Sequence, residues 1–153
     1  MGSITIDRES LVPLALLDAM GGEIQGKTRL QKLAFLLDEE QLGDRFDAYS
    51  YRKYDYGPFS KELLDDTESL AQKDLVDISE QRTVGGNTRY DYQLTDPGQD
   101  AVSKLSEKES DISKIFDAAE EIVSEYGDLP LRDLIERVYD MYPEYTKNSV
   151  YQY

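Results

Sequence analysis

The sequence predicts a mainly helical α+β fold, with a winged helix-turn-helix core over residues 8–105 and a C-terminal helical extension over residues 106–153, together one structural unit. Three observations support this fold class. Three helix-like segments come first, two strand-like runs around a glycine pair follow them, and amphipathic helices end the chain. Three helices followed by a two-stranded hairpin is the layout of a winged helix.

Three helices are predicted before the hairpin, over residues 10–20, 27–40 and 59–73. The second is apolar at almost every position from residue 30 to residue 37, and it is therefore predicted to be the central, buried helix. Residues 46–56 alternate in a way that favours an extended segment. Gly57-Pro58 is predicted to break the chain before the third helix.

The hairpin is predicted from two short runs, 75–79 and 88–94, that flank Gly85-Gly86-Asn87. We expect them to pair as antiparallel strands directly after the third helix. Thr95 then offers a capping hydroxyl and Pro97 an early proline, which together predict the start of a fourth helix.

The last third of the chain is predicted to be helical. Residues 112–126 carry an apolar stripe at helical spacing, and Pro130 opens a further helix. Two uses of the stripe are open: it could pack on the first helix of its own chain, or it could form a homodimer seam through residues 111–142.

Composition excludes several classes of protein. Cysteine and histidine are absent, which excludes disulfides, Cys/His zinc sites and nucleophile systems that use a histidine base. There is no Walker loop and no GxGxxG turn, so we predict no enzyme, no cofactor and no metal. No apolar run approaches 18 residues and the first eight residues lack a signal-peptide pattern, which predicts a cytoplasmic protein without a membrane partner.

The net charge of −15 has two explanations. It could mark an acidic partner of a basic protein, or it could be a halophilic adaptation to multimolar salt. We favour the second, because the acidic residues are dispersed. Residues 27–89 hold ten Lys and Arg against thirteen Asp and Glu, a net of −3, whereas the remainder holds seven against nineteen, a net of −12. An anion-binding surface is therefore expected in the middle of the chain.

Two segments carry a family resemblance. The first is GKTRLQKLAFLL at residues 26–37, and the second is YRKYDYGPFS at residues 51–60, with Phe46 before it and Leu63 after it. They resemble the YwgA-like group of bacterial and archaeal proteins, whose pattern places an LQK helix before a YGPYS element. Residues 142–149 resemble the C-terminal ending of that group. The resemblance implies a fold rather than an activity.

A more distant likeness concerns the same helix and turn. The Panacea antitoxin domain also places a KL-containing helix before a YGP-type turn. Separately, YDYQLTDPG at residues 90–98 is similar to the Y-x-LT-x-x-G sequence that follows the wing in many winged-helix regulators.

Five basic residues are placed in the sequence as a winged helix would place its DNA contacts: Arg52, Lys53, Lys61, Arg82 and Arg89. The leading hypothesis is therefore a transcription-regulator-like protein that binds double-stranded DNA without catalysis. The third helix, however, also carries four acidic residues, Glu62, Asp65, Asp66 and Glu68. They favour the alternative, a protein-interaction module of antitoxin-like or adaptor type.

The motif formed by Tyr56, Gly57, Pro58, Phe59 and Ser60 has two interpretations. It could aim the N-terminus of the third helix at a phosphate. It could instead be a structural turn that lets its aromatic side chains pack in the core, which is the interpretation we favour.

The charge pattern generates a prediction about salt. If the acidic surface is a halophilic adaptation, self-repulsion should destabilise the fold in dilute buffer, and screening should relieve it. We expect a higher thermal unfolding midpoint in multimolar KCl than in about 0.1 M KCl, a concentration at which screening extends over about 10 Å. Equal midpoints would indicate instead that the negative charge serves in binding a partner.

Overall fold

The computed structural model describes residues 10–42, 52–54, 57–86, 88–107 and 110–146. The fold is α+β and mainly helical, as predicted. Its helices are α1 (Leu11–Ala19), α2 (Lys27–Leu36), α3 (Lys61–Gln72), α4 (Asp96–Ser106), α5 (Ser110–Ile122) and α6 (Leu131–Met141). Its strands are β1 (Glu23–Gln25), β2 (Arg52–Tyr54), β3 (Gly57–Phe59), β4 (Val76–Arg82) and β5 (Thr88–Leu94). None of the helices in these ranges is long and apolar enough to cross a bilayer.

Two helices continue beyond their α-helical part. α2 runs on as a π-helical segment, Leu37–Leu42, and α5 does the same over Val123–Gly127. A short 3-10 helix, Pro143–Thr146, follows α6.

The main sheet is antiparallel, with the strand order β1-β5-β4. The predicted hairpin is confirmed: β4 pairs with β5 from Val76 opposite Leu94 to Arg82 opposite Thr88. β1 is a strand that the sequence analysis did not predict, and it pairs with the other edge of β5, with Ile24 opposite Tyr92. The backbone N–H of Gly26 then donates to the carbonyl of Tyr90 at 2.8 Å, which fixes the start of α2 against the sheet.

The predicted chain break at Gly57-Pro58 is wrong. Both residues belong to β3, which pairs with β2 in a separate two-stranded sheet, with Lys53 opposite Pro58. A proline fits here because a strand at a sheet edge does not need its N–H for a second neighbour. The third helix accordingly starts at Lys61 rather than at Phe59. Tyr56 lies outside the described residues.

The predicted central position of α2 is confirmed. All eight residues from 30 to 37 are buried, including two polar ones. The helix contacts α1, α6, β3 and the main sheet, so every side of it is covered by another element. Edge-on ring contacts join Phe35 to Tyr142 and Tyr145, with centroids 4.9 and 5.0 Å apart, and they tie the C-terminal segment to this helix.

The apolar stripe of α5 is covered within the chain. Ile115, Phe116, Ala119 and Ile122 are buried in the same core as the leucines of α1, the helix that α5 mainly contacts. The predicted packing of the stripe on the first helix is confirmed.

The start of α4 lies directly against the strand region. Thr95 caps the helix, because its hydroxyl oxygen accepts from the backbone N–H of Gly98 at 3.0 Å. A Cβ built on Gly98 would lie 2.0 Å from the carbonyl oxygen of Leu75. Glycine at this position therefore lets the helix and the beginning of the hairpin touch backbone to backbone.

Candidate interaction face

A buried polar contact joins α2 to the segment that leads into α3. The side chain of Gln31 donates from Nε2 to the carbonyl of Ser60 at 2.8 Å and accepts from the Ser60 N–H at Oε1, also at 2.8 Å. Gln31 is 1% exposed and Ser60 is 1% exposed. One amide side chain thus satisfies both backbone groups of the residue that precedes α3, in the way that a neighbouring strand would.

Lys32 lies next to this contact and is also buried. Its Nζ donates to the carbonyl of Pro58 at 3.3 Å, and only 2% of the residue is exposed. Burial disfavours the charged form and lowers the pKa of Lys32 to about 7. We call the four residues Gln31, Lys32, Pro58 and Ser60 the α2–β3 clamp.

Ser60 also begins α3. Its hydroxyl oxygen accepts from the backbone N–H of Leu63 at 3.4 Å, while its hydroxyl group donates to the carboxylate of Glu62 at 3.0 Å. A carboxylate therefore lies beside the first turn, where a phosphate would otherwise bind. The geometry favours the structural interpretation of the Gly57–Ser60 motif, in which Pro58 and Ser60 are buried and Phe59 is half-buried.

The basic residues of α2 are used within the chain. In addition to the buried Lys32, Arg29 donates to the carbonyl of Gly127 at the end of the α5 extension, at 3.2 Å. Lys27 lies over the ring of Tyr90, with its Nζ 5.6 Å from the ring centroid. The three basic residues of α2, which contributed to the anion site predicted for residues 27–89, therefore stabilise the fold instead.

Among the five residues predicted to contact DNA, those whose side chains are described differ in solvent exposure and in ion pairing. Lys61 at the start of α3 and Arg82 at the end of β4 are exposed, and neither makes an ion pair with another described residue. Arg89 is 42% exposed and is held by both carboxylate oxygens of Asp91, at 2.9 and 3.0 Å. The side chains of Arg52 and Lys53 lie outside the described part, although the β2 backbone that carries them pairs with β3.

The exposed face of α3 is dominated by carboxylates. Leu63, Thr67 and Leu70 are buried against the core, and the opposite face therefore carries Lys61, Glu62, Asp65, Glu68 and Gln72. Asp65 lies near the centre of that face, because the helical spacing places it almost opposite the buried residues. A helix that enters the major groove would turn these carboxylates toward phosphate and base edges.

A cleft of about 440 Å³ lies between α3 and the β4–β5 hairpin. Leu64, Thr67 and Glu68 line it from the helix, and four residues line it from the sheet: Ile78, Glu80, Tyr90 and Tyr92. The register explains this sheet face, because Ile78 lies opposite Tyr92 and Glu80 lies opposite Tyr90. Lys27, from the first turn of α2, also lines the cleft.

Burial and neighbouring acidic groups oppose the ionisation of Tyr92 in the cleft. The pKa of Tyr92 is raised to about 12, chiefly because the phenol is buried, and the nearby Tyr90, Glu68 and Asp91 raise it further. Among the described residues, no cluster of three acidic side chains is placed to hold a metal ion.

We define the exposed surface of α3, this cleft and the adjoining surface of β4–β5 as the α3–hairpin face.

Sequence reasoning missed the clamp and the cleft. Gln31 and Lys32 are of types that usually face water, so a helical pattern alone assigns them to the surface. The sequence did contain a signal for the sheet side of the cleft. Residues 78, 80, 90 and 92 occupy alternate positions of two strands, so their side chains lie on one face of the sheet.

Comparison with known proteins gives no family assignment for this chain. No protein-family model matches the chain, and no curated protein matches it.

The buried lysine predicts a pH-dependent stability. Between the folded pKa of about 7 and the ordinary lysine pKa of 10.5, the unfolded chain binds one more proton at Lys32 than the folded chain does. The contribution of Lys32 to the free energy of unfolding should therefore be constant below about pH 7 and rise above that pH. We expect the free energy of unfolding of the wild type, relative to Lys32→Met, to rise by about 2 kcal/mol between pH 7 and 9.

Urea denaturation at a series of pH values measures this difference. Lys104→Met, which removes an exposed lysine on α4, is the matched control and should differ from the wild type by the same amount at every pH. A constant difference between wild type and Lys32→Met would mean that Lys32 keeps its ordinary pKa.

Proposed function

We propose that this chain is a winged-helix protein that binds another protein, as an antitoxin or adaptor does, through the α3–hairpin face. The observation that carries the proposal is the position of Asp65 and Glu68 on the exposed side of α3. In a DNA-binding winged helix that side enters the major groove, where carboxylates repel phosphate. Against a basic protein surface the same carboxylates are attractive.

The topology supports the winged-helix part of the proposal. A helix, a short strand and two further helices precede a hairpin, and the short strand pairs with β5 so that the sheet order is β1-β5-β4. The β2–β3 pair is an addition between α2 and α3. The clamp holds this addition against α2, and α3 follows directly from it.

The chemistry of the face favours a basic partner. Glu62, Asp65 and Glu68 are exposed on α3, and Glu80 is exposed on β4. The cations on this face that are not in ion pairs with described residues are fewer: Lys61, Arg82 and the Lys27 of the cleft are exposed, while Arg89 is already paired with Asp91. An acidic face on a chain of net charge −15 attracts a basic partner over a distance that shortens as salt rises.

DNA binding is a second candidate, supported by one specific observation. Lys61 at the N-terminus of α3 and Arg82 at the far end of the hairpin are the exposed cations at the two places where a winged helix contacts the backbone of DNA. Contacts from these residues, with Arg52, Lys53 and Arg89, would position the protein on phosphates more than they would select a sequence.

Capture from the native host at native salt separates the two candidates. The immobilised wild-type chain is compared with Asp65→Lys on the proposed face and with Asp117→Lys, a matched charge reversal at an exposed position of α5. Bound protein is identified by mass spectrometry and bound nucleic acid by sequencing. We expect a protein whose recovery falls at least about tenfold with Asp65→Lys, equivalent to about 1.4 kcal/mol, and is unchanged with Asp117→Lys.

Two results would contradict the proposal. One is the absence of any protein whose recovery depends on Asp65. The other is an enrichment of nucleic acid that falls in Lys61→Ala and Arg82→Ala, which would establish the DNA-binding candidate in its place.

A further inference from the structure

The cleft between α3 and the hairpin has the size of a ligand site. Its volume of about 440 Å³ lies within the range of small-molecule pockets, about 300–1,000 Å³. Leu64 and Ile78 supply apolar walls, while Tyr90 and Tyr92 supply rings and hydroxyl groups. This mixture suits a group that is flat and partly apolar and that carries polar atoms at one end.

The charges of the cleft select the sign of that group. Glu68 lines the helix side and Glu80 lines the sheet side, so each wall of the cleft contributes an acidic residue. Lys27 is the cation among the lining residues, so the three charged lining residues have a net charge of −1. A bound cation is therefore favoured over a bound anion.

The cleft already holds a cation against one of its rings. The ammonium of Lys27 lies 5.6 Å from the centroid of Tyr90, within the distance of a cation–π contact. Lys27 is exposed, so its long side chain is free to leave the ring without unfolding α2. The ring face is thus a cation site with a resident that an incoming cation can replace.

We propose that this cleft binds the guanidinium group of an arginine side chain from a basic protein segment, with the ring of Tyr90 as its stacking surface and the carboxylates of Glu68 and Glu80 as its hydrogen-bond acceptors. Arginine fits better than lysine, because a guanidinium is planar, stacks on aromatic rings, is weakly hydrated and donates hydrogen bonds in a fixed fork. The proposal rests on the proposed function, since it names the chemistry by which the α3–hairpin face recognises its partner.

Lys27 makes the proposal sharply testable. If the cleft is an arginine site, Lys27 competes with the ligand, and Lys27→Met should strengthen binding. If the cleft is an anion site that contacts nucleic acid, Lys27 is a ligand contact, and the same substitution should weaken binding. The two hypotheses therefore predict opposite changes for one variant.

The probe is a blocked tripeptide, N-acetyl-Gly-Arg-Gly-amide, titrated into the intact chain and followed by NMR at the lowest KCl concentration at which the chain stays folded. The isosteric citrulline tripeptide, which is uncharged, is the ligand control. We expect saturable shifts at the backbone amides of Glu68, Tyr90 and Tyr92 with the arginine peptide, and none that saturate with the citrulline peptide. The dissociation constant should be millimolar, corresponding to about 4 kcal/mol for one side chain.

Variants with matched controls complete the test. Lys27→Met should lower the dissociation constant about threefold. Lys104→Met removes an exposed lysine on α4, and it should change the dissociation constant only by the small amount that the altered net charge of the chain causes. Glu68→Gln should raise it about threefold, while Asp100→Asn, at an exposed position of α4, should leave it unchanged. These factors correspond to about 0.7 kcal/mol each.

Four results would overturn the inference: absence of any arginine binding, equal binding of the citrulline peptide, an arginine affinity that Glu68→Gln does not alter, or weaker binding by Lys27→Met. These failures are distinguishable from failure of the proposed function, because capture of a protein partner that depends on Asp65 would stand without an arginine site in the cleft.

Discussion

The fold depends on one buried polar contact, in which the Gln31 side chain satisfies both the N–H and the carbonyl of Ser60. A buried backbone group without a partner costs about 1–3 kcal/mol, so this side chain removes a penalty that would otherwise oppose burying the β3–α3 junction. Lys32 adds a bond to Pro58 two residues earlier. Since Ser60 is also the N-cap of α3, the contact sets where that helix begins and, through it, where its acidic side lies.

The clamp joins two sequence segments that are far apart in the chain. LQK lies in the first segment, at residues 26–37, and PFS lies in the second, at residues 51–60. The residues that join them are Gln31 and Lys32 on one side and Pro58 and Ser60 on the other. Two motifs that are more than twenty positions apart in the chain are thus the two halves of one contact.

Charge is divided between the interior and the surface of this chain. Arg29 and Lys32 bond to backbone carbonyls, Lys27 lies on a tyrosine ring, and Arg89 is held by Asp91. The exposed side of α3, in contrast, carries carboxylates. A count of basic residues in 27–89 suggested an anion site, but a count does not separate cations that hold the fold together from cations that face a partner. Because several of the cations are used in contacts within the chain, residues 27–89 present an acidic face although their net charge is only −3.

The sequence predicted the elements that have a strong local signal. The apolar run of α2, the paired runs around Gly85-Gly86 and the capping hydroxyl of Thr95 each have one dominant local cause, and each element formed as expected. β1 is only three residues long, too short for an alternating pattern, and it exists because β5 offers a free edge. The clamp could not be predicted, because the burial of Gln31 and Lys32 depends on their contacts with β3 and Ser60, which lie more than twenty residues away in the sequence.

The measurement that tests this account most directly is amide hydrogen exchange in Gln31→Leu, compared with wild type and with Thr28→Ala on the same helix. Leucine fills a similar volume but leaves the backbone groups of Ser60 without their partner. The account predicts faster exchange at Ser60 and through α3, about tenfold or more, equivalent to about 1.4 kcal/mol of lost local stability, with α5 unchanged and Thr28→Ala like the wild type. Unchanged exchange in α3, or equal acceleration in α3 and α5, would contradict the claim that this contact positions the helix that carries the interaction face.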